Sequence, residues 1–293
     1  MQPILFNLDS DPLLAEQIAQ QLSAEIGELD TRSFPDGESY LRVLSDCEAR
    51  SVIIFCNLFQ PNNKILRLIF LSNILKELGV KRIGLVTPYL PYMRQDKQFK
   101  SGECVTSRPF AKLLSDHLDW LVTLDPHLHR YHSLTEIYDI ESRVVHAAPV
   151  ISSWVQEHIK QPLLIGPDSE SEQWVSEVAK LAGVPFQVLS KIRHGDYHVE
   201  VSLPEVDQWK EHTPVLLDDI ISSGKTMLET VQHLKELGLP KPLCIGVHGL
   251  FANNSYDELL LRADVVTCNS IPHPSNSIDI SRHLTTAIRE LIQ

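Results

Sequence analysis

The sequence predicts an α/β protein built as two similar domains, each a mainly parallel sheet flanked by helices. Three observations carry that prediction. Short apolar runs of strand length alternate with helical apolar periodicity from end to end, the pattern of parallel strands covered by helices. Leu-Lys-Glu-Leu-Gly-Val at 75–80 returns as Leu-Lys-Glu-Leu-Gly-Leu at 234–239, each time closing a helix pattern on a glycine before a strand pattern, as an internal duplication would. A length of 293 residues suffices for two domains, each with its own core. The predicted division is 1–145 and 146–293.

Along the chain, strands are expected at Ile4 to Asn7, Val52 to Cys56, Ile83 to Thr87, Leu121 to Leu124, Leu163 to Ile165, Phe186 to Leu189, Val215 to Leu217, Ile245 to Val247 and Val265 to Thr267. All are short apolar runs bounded by polar or turn-forming residues. Helices are expected at Leu13 to Ile26, Asn63 to Leu78, Arg108 to Leu118, Glu172 to Leu181 and Met227 to Leu237, where apolar residues recur at spacings of three and four. A closing helix over 277–291 could pack back on the N-terminal domain.

Composition removes several function classes. No apolar stretch reaches the length of a bilayer span, because Leu66 to Leu75 is broken by Arg67. The N-terminal MQPILFNLDSD has neither the basic flank nor the apolar core of a secretion signal, so a cytoplasmic location and no membrane partner are expected. Five cysteines without a Cys-x-x-Cys pair fit reduced, mostly buried thiols. A net charge of −12 disfavours nucleic acid as a partner, because its phosphate backbone would be repelled over most of the surface. A phosphorylated ligand must then be held by local donors or a metal.

Val215 to Met227, VLLDDIISSGKTM, ends in a Gly-Lys-Thr that invites a nucleotide P-loop reading. That loop needs a glycine where this chain has Asp219, and a carboxylate there would repel a polyphosphate. A strand, a Ser-Ser-Gly turn and a helix start still aim backbone N–H groups and hydroxyls at one point, which suits a single phosphate monoester. Asp218 and Asp219 would then face hydroxyls or a metal. The plainer alternative has them end the strand while Ser222 or Ser223 caps the helix.

Other loops leave strands at their carboxyl ends, where parallel sheets bind ligands. Arg94, Gln95, Asp96 and Lys97 are either phosphate-binding or a solvated charged loop. Asp125, His127, His129 and His132 invite a zinc reading, although their spacing matches no standard motif. Asp168 either holds a hard cation or helps cap the next helix. Lys191 and Arg193 share a face if their strand continues, ready to meet negative charge; unless folded onto a ligand, the same segment is a mobile hairpin. Pro35-Asp36-Gly37 is a turn between strand-like segments.

In order and over nearly the full chain, the Phe-Pro-Asp-Gly-Glu turn, the Arg-Gln-Asp loop, Asp-Pro-His, the Pro-Asp before a helix, the Lys-x-Arg loop and the Asp-Asp-Ile-Ile loop resemble the ribose-phosphate pyrophosphokinases, or PRPP synthetases. The resemblance implies two phosphoribosyltransferase-like (type I) domains with the active site between them and a homo-oligomer, dimer or hexamer, whose neighbouring subunit contributes. It implies an enzyme, a ribose-phosphate diphosphokinase, moving the β,γ-pyrophosphoryl group of ATP to the anomeric hydroxyl of ribose 5-phosphate with Mg2+, giving PRPP and AMP for nucleotide biosynthesis. Carried over by motif, Phe34, Asp36, Gly37, Glu38, Arg94 and Gln95 would bind ATP, and His127 and Asp168 the metal. Lys191 and Arg193 would be catalytic. Arg193, Asp218, Asp219, Ser222, Ser223, Gly224, Lys225 and Thr226 would bind ribose 5-phosphate.

This chain departs from the family pattern in three places. Ser222-Ser223 replaces Asp-Thr and Lys225 a second glycine, a loop closer to that of the purine phosphoribosyltransferases. Glu170-Ser171 stands where paired glycines are usual. The Arg94 to Glu103 segment looks closer to the archaeal kind of synthetase, which implies weak or absent activation by inorganic phosphate. A phosphoribosyltransferase and a non-catalytic partner subunit of a synthetase are the alternatives.

Overall fold

A computed structural model describes residues 2–9, 12–128, 130–167, 171–194, 198–202 and 206–292, with backbone alone for 190–194, 198–202, 206 and 207. The chain divides into two compact units, Met1–Val145 with Ser281–Gln293, and His146–Ile280.

The first unit runs β1 (Ile4–Asn7), α1 (Leu13–Leu22), β2 (Glu25–Ile26), β3 (Leu29–Ser33), β4 (Ser39–Val43), β5 (Ser51–Phe55), α2 (Ile65–Glu77), β6 (Arg82–Thr87), α3 (Ser107–Ser115), β7 (Trp120–Leu124) and β8 (Glu141–Val145). Its parallel sheet has the order β2-β1-β5-β6-β7-β8, and β3 and β4 pair separately as an antiparallel hairpin. Strands β5, β6 and β7 are buried almost throughout, as strands covered on both faces must be. The core joins Ile4, Phe6, Val52 and Ile54 from the sheet to Leu68, Leu71 and Leu75 of α2 and Phe110 and Leu114 of α3.

The second unit runs α4 (Ala148–His158), β9 (Pro162–Gly166), α5 (Glu172–Ala182), β10 (Phe186–Val188), β11 (Ser190–His194), β12 (His198–Ser202), β13 (Thr213–Ile221), α6 (Lys225–Glu236), β14 (Leu243–Gly249), α7 (Ser255–Leu260), β15 (Asp264–Cys268) and β16 (Asn276–Ile278). Its parallel sheet has the order β10-β9-β13-β14-β15-β16, and β11 and β12 form a hairpin. Leu163, Ile165, Leu216, Met227, Val231, Leu234 and Cys244 lie in its core. The last helix, α8 (Ser281–Leu291), belongs to the first unit, where Leu284, Ile288 and Leu291 are buried.

The two topologies repeat: strand, helix, strand, hairpin, strand, helix, strand, helix, then two strands. The duplicated hexapeptide falls at the same place in each, ending α2 before β6 and α6 before β14. Gly79 and Gly238 are left-handed at φ 75° and 76°, and the amides of Val80 and Leu239 reach back to the carbonyls of Leu75 and Leu234 at 3.2 and 3.1 Å. Left-handed glycine closure with a six-to-one hydrogen bond is what the hexapeptide encodes.

The structure corrects several sequence expectations. The first helix stops at Leu22 because Ser23 turns left-handed at φ 53°, and Glu25–Ile26 instead pairs with Ile4 and Leu5. The strand expected to end at Leu217 continues through both aspartates to Ile221, because β14 accompanies it as far as Gly249. The closing helix starts at Ser281, since Asn276–Ile278 pairs with β15. Helix α4, with proline in its first turn, and the edge strands β8 and β16 carry too little apolar pattern to be read locally.

Candidate active site

In the second unit, β13 lies between β9 and β14. It pairs with β9 only as far as Leu216, but with β14 as far as Ile221. Beyond Leu216 the strand has lost one neighbour, so the half-buried Asp218 and Asp219 stand where the carboxyl edge of the sheet opens. The chain then turns through Ser222, Ser223 and Gly224 into α6.

That turn is held from behind. The Ile221 carbonyl accepts the amides of Leu250 and Phe251 at 2.9 and 3.1 Å, and the Ser222 carbonyl accepts the Ala252 amide at 2.9 Å and the Ser255 hydroxyl at 3.0 Å. Gly224 is buried with φ 68°, and a Cβ on it would lie 3.0 Å from the Ser255 Cβ. Left-handed backbone and close approach both require glycine. As the N-cap of α6 it supplies no side-chain acceptor, and the first turn of the helix carries no acidic residue. The Leu228 amide makes the first bond of the helix, to the Gly224 carbonyl at 2.8 Å, so the amides of Lys225, Thr226 and Met227 precede the intrahelical ladder. Ser223 and Lys225 are exposed, and Ser222 and Thr226 are half-buried around the same helix end. An anion is the natural occupant there.

Behind the turn, the His273 ring lies 4.4 Å from that of Phe251 and 4.5 Å from that of Tyr256, with Nδ1 2.8 Å from the Ser275 hydroxyl. Burial holds its pKa below the ordinary 6.5, which favours the neutral ring. Cys244, in β14, has its thiol pushed up to about 12 by burial first and by the Asp264 and Asp218 carboxylates second.

The equivalent connection in the first unit, from β5 to α2, is occupied by the chain itself. Asp9 accepts the Asn57 amide at 2.6 Å through Oδ2 and the Lys64 ammonium at 3.0 Å through Oδ1, and Lys64 also donates to the Asn57 carbonyl. The Asp9 side chain is only 6% exposed, so a buried carboxylate of the protein itself ties this connection.

The first unit instead offers two loops at the carboxyl ends of the adjacent strands β6 and β7, drawn together by side chains. Arg130 Nε donates to Asp96 at 3.1 Å, and the Tyr131 and Ser107 hydroxyls meet at 3.2 Å. Gln95 is tied to the start of α3, its side-chain oxygen accepting from the Thr106 hydroxyl at 3.3 Å. Arg94 is exposed. Asp125 and His127 have φ of 32° and 55°, and the His127 amide donates to the Asp125 carbonyl at 2.9 Å. Two non-glycine residues in this region mark a strained loop, a feature concentrated at ligand sites. Phe34, Asp36, Gly37 and Glu38 form the exposed turn of the β3–β4 hairpin, closed by the Phe34 amide on the Glu38 carbonyl at 2.7 Å.

Lys191 and Arg193 lie two positions apart in β11, opposite Val201 and Val199 of β12, so the strand does continue through both. Asp168, like His129 and Glu170, lies outside the described residues. Among the described residues, no group of three or more His, Cys, Asp or Glu forms a metal cluster. Magnesium takes most of its ligands from water and substrate phosphates and few from protein. Of the two residues assigned to the metal, only His127 lies among the described residues, and it sits in the strained loop at the carboxyl end of β7.

Strand, uncapped helix end and paired aspartates on a doubled α/β framework define a protein of the phosphoribosyltransferase type. Residues 133–282 match the family described as the phosphoribosyl transferase domain, and residues 3–117 match the N-terminal domain of ribose phosphate pyrophosphokinase. The chain therefore belongs to the ribose phosphate pyrophosphokinase family. It is 27% identical over 291 residues to the ribose-phosphate pyrophosphokinase of Methanobrevibacter smithii, covering 94% of this chain and 97% of that one. To that of Methanopyrus kandleri it is 28% identical over 282 residues, covering 95% and 96%. The crystal structure of phosphoribosylpyrophosphate synthetase from Mycobacterium smegmatis superposes with a TM-score of 0.87 at 25% identity, covering 99% of each chain. Among the described residues, no helix is long and apolar enough to cross a membrane.

Residues that sequence reasoning missed include Ser255, Phe251 and His273, which lie behind the Ser222 to Gly224 turn, and Asp9 with Lys64, which tie the β5–α2 connection. Their partners lie far away in sequence, so no motif marks them. A lysine just before an apolar helix was the only local sign of the second group.

Proposed function

We propose that the chain is a ribose-phosphate pyrophosphokinase that transfers the β,γ-pyrophosphoryl group of ATP to the C1 hydroxyl of ribose 5-phosphate. The hydroxyl oxygen bonds to the β-phosphorus, the bond from that phosphorus to the α,β-bridging oxygen breaks, and AMP leaves with the electron pair as the hydroxyl proton is lost. PRPP is the other product. The observation that carries this reading is the uncapped N-terminus of α6 behind Ser222, Ser223 and Gly224, beside Asp218 and Asp219 on the open end of β13. A phosphate monoester fits the former and sugar hydroxyls the latter, as ribose 5-phosphate requires.

In this reading Ser222, Ser223, Gly224, Lys225 and Thr226 hold the 5-phosphate, and Asp218 and Asp219 orient the ribose. Phe34, Asp36, Gly37, Glu38, Arg94 and Gln95 bind ATP, the Phe34 face stacking on the purine. Lys191 and Arg193 meet the charge that grows on the bridging oxygen as it leaves; Arg193 also contacts the ribose 5-phosphate. His127 and Asp168 would hold Mg2+, which when bound offsets charge on the triphosphate oxygens. A homo-oligomer, dimer or hexamer, completes the assignment.

Incubating the purified chain with Mg2+, ATP and ribose 5-phosphate and separating AMP from ADP tests the reaction class. AMP and PRPP in equal amounts are expected. ADP as product, or no turnover, would overturn the proposal.

A further inference from the structure

Arg67 interrupts the apolar run Ile65 to Leu71 of α2, where a helix packed on a sheet would favour another apolar residue. Its guanidinium reaches the β3–β4 hairpin: Nη2 donates to the Ser33 hydroxyl at 2.9 Å and Nε to the Ser39 hydroxyl at 3.3 Å. Ser33 and Ser39 are paired with each other and directly flank the Phe34 to Glu38 turn. One planar fork of donors thus spans both strands at the base of the turn, a geometry that only arginine offers.

The hairpin needs such a fastening. Leu29, Leu41 and Val43 pack the far end of the hairpin against the core, but residues 31 to 38 at its tip are exposed, and two strands without a covered face are at best marginally stable in water. Above the clasp, the Arg32 guanidinium stands 4.6 Å from the Tyr40 ring centroid and 5.3 Å from that of Phe34. The two rings meet edge to face, 6.4 Å apart at 87°, and Phe34 stays 41% exposed. An exposed ring braced by a neighbouring ring and a cation is a platform prepared for a flat aromatic ligand.

We propose that Arg67 is a positioning residue for the nucleotide: by clasping Ser33 and Ser39 it fixes the orientation in which Phe34 meets the purine of ATP. This rests on the assignment of the Phe34 to Glu38 turn to ATP given above. The clasp lowers the cost of ordering the hairpin on binding, so its loss weakens ATP without touching the sugar phosphate or the transfer step.

Arg67→Ala, Arg67→Lys and the Ser33→Ala/Ser39→Ala pair, each in the full chain, provide the test. In Arg67→Ala the KM for ATP and the Kd of a fluorescent ATP analogue should rise about tenfold, as loss of charged hydrogen bonds predicts. The kcat and the KM for ribose 5-phosphate should stay within about twofold. The serine pair should give the same phenotype, adding Arg67→Ala to it should change little more, and lysine should restore only part. Thermal midpoints within about 2 °C of the parent's show that the fold is kept. Unchanged ATP affinity in Arg67→Ala, an equal rise in both KM values, or additivity with the serines would overturn the inference. A parent chain that makes no AMP yet binds the ATP analogue in an Arg67-dependent way would defeat the proposed reaction alone; one that binds no analogue defeats both.

Discussion

Gly224 places two demands on one position, φ 68° and a Cβ site 3.0 Å from the Ser255 Cβ. Gly224→Ala must therefore distort the turn or push α7 away, at about 2 kcal/mol from the left-handed backbone and the contact together. We predict a lowered thermal midpoint and, because the amides of the α6 first turn shift, a KM for ribose 5-phosphate raised at least about tenfold with ATP affinity retained. Steady-state kinetics in both substrates would check this, and a variant with unaltered ribose 5-phosphate kinetics would refute the role given to the turn. At this scale the sequence was informative. The missing P-loop glycine at Asp219 and the Ser-Ser-Gly turn are local chemical facts, and on them rests the expectation of a single phosphate. What it left open was Lys225, whose side chain is exposed.

Among the elements, the two central strand-to-helix connections are held by different groups. From β13 to α6 the chain turns through Ser222, Ser223 and Gly224; from β5 to α2 the loop is tied by Asp9, which accepts from the Asn57 amide and the Lys64 ammonium. Asp9→Asn keeps the shape but leaves the ammonium of Lys64, 31% exposed, without its carboxylate. Breaking such a pair costs several kcal/mol when fully buried, and about 2 kcal/mol is expected here with Lys64 partly solvated. Chemical denaturation should show that loss, with reduced hydrogen-exchange protection at the start of α2; a stability equal to the parent's would contradict the lock. Strands buried on both faces and amphipathic helices were legible from apolar runs and periodicity. Element ends were not: Ile26 joined a strand and Asp218 to Ile221 extended one, because a neighbouring strand supplied hydrogen bonds that no local preference encodes.

For the whole molecule, the chain crosses into its second unit at His146 and returns to the first at Ser281. Helix α8 buries Leu284, Ile288 and Leu291, and its fastenings span the first unit: Gln21 to Ser281 at 2.9 Å, Arg82 to the Leu291 carbonyl at 3.1 Å and Arg143 to Glu290 at 3.0 Å. Three such side chains are worth roughly 5 kcal/mol of burial, close to the net stability of a domain. A chain ending at Ile280 should therefore lose hydrogen-exchange protection in α1, β7 and β8 while β9, β13 and β14 keep theirs. Equal protection in both units would argue against this dependence.

The sequence by itself determined the α/β class and the doubling marked by the repeated hexapeptide, because periodicity and turn residues act over a few neighbouring positions. Only the tertiary structure decided that β13 carries the aspartates, that Asp9 ties the β5–α2 connection, that Arg67 bonds the hairpin serines and that the last helix completes the first unit. Each of those depends on groups far apart along the chain, Arg67 and Ser33 by 34 positions and Gln21 and Ser281 by 260. Such contacts form only once the core has brought their elements together, so they leave no local pattern to read.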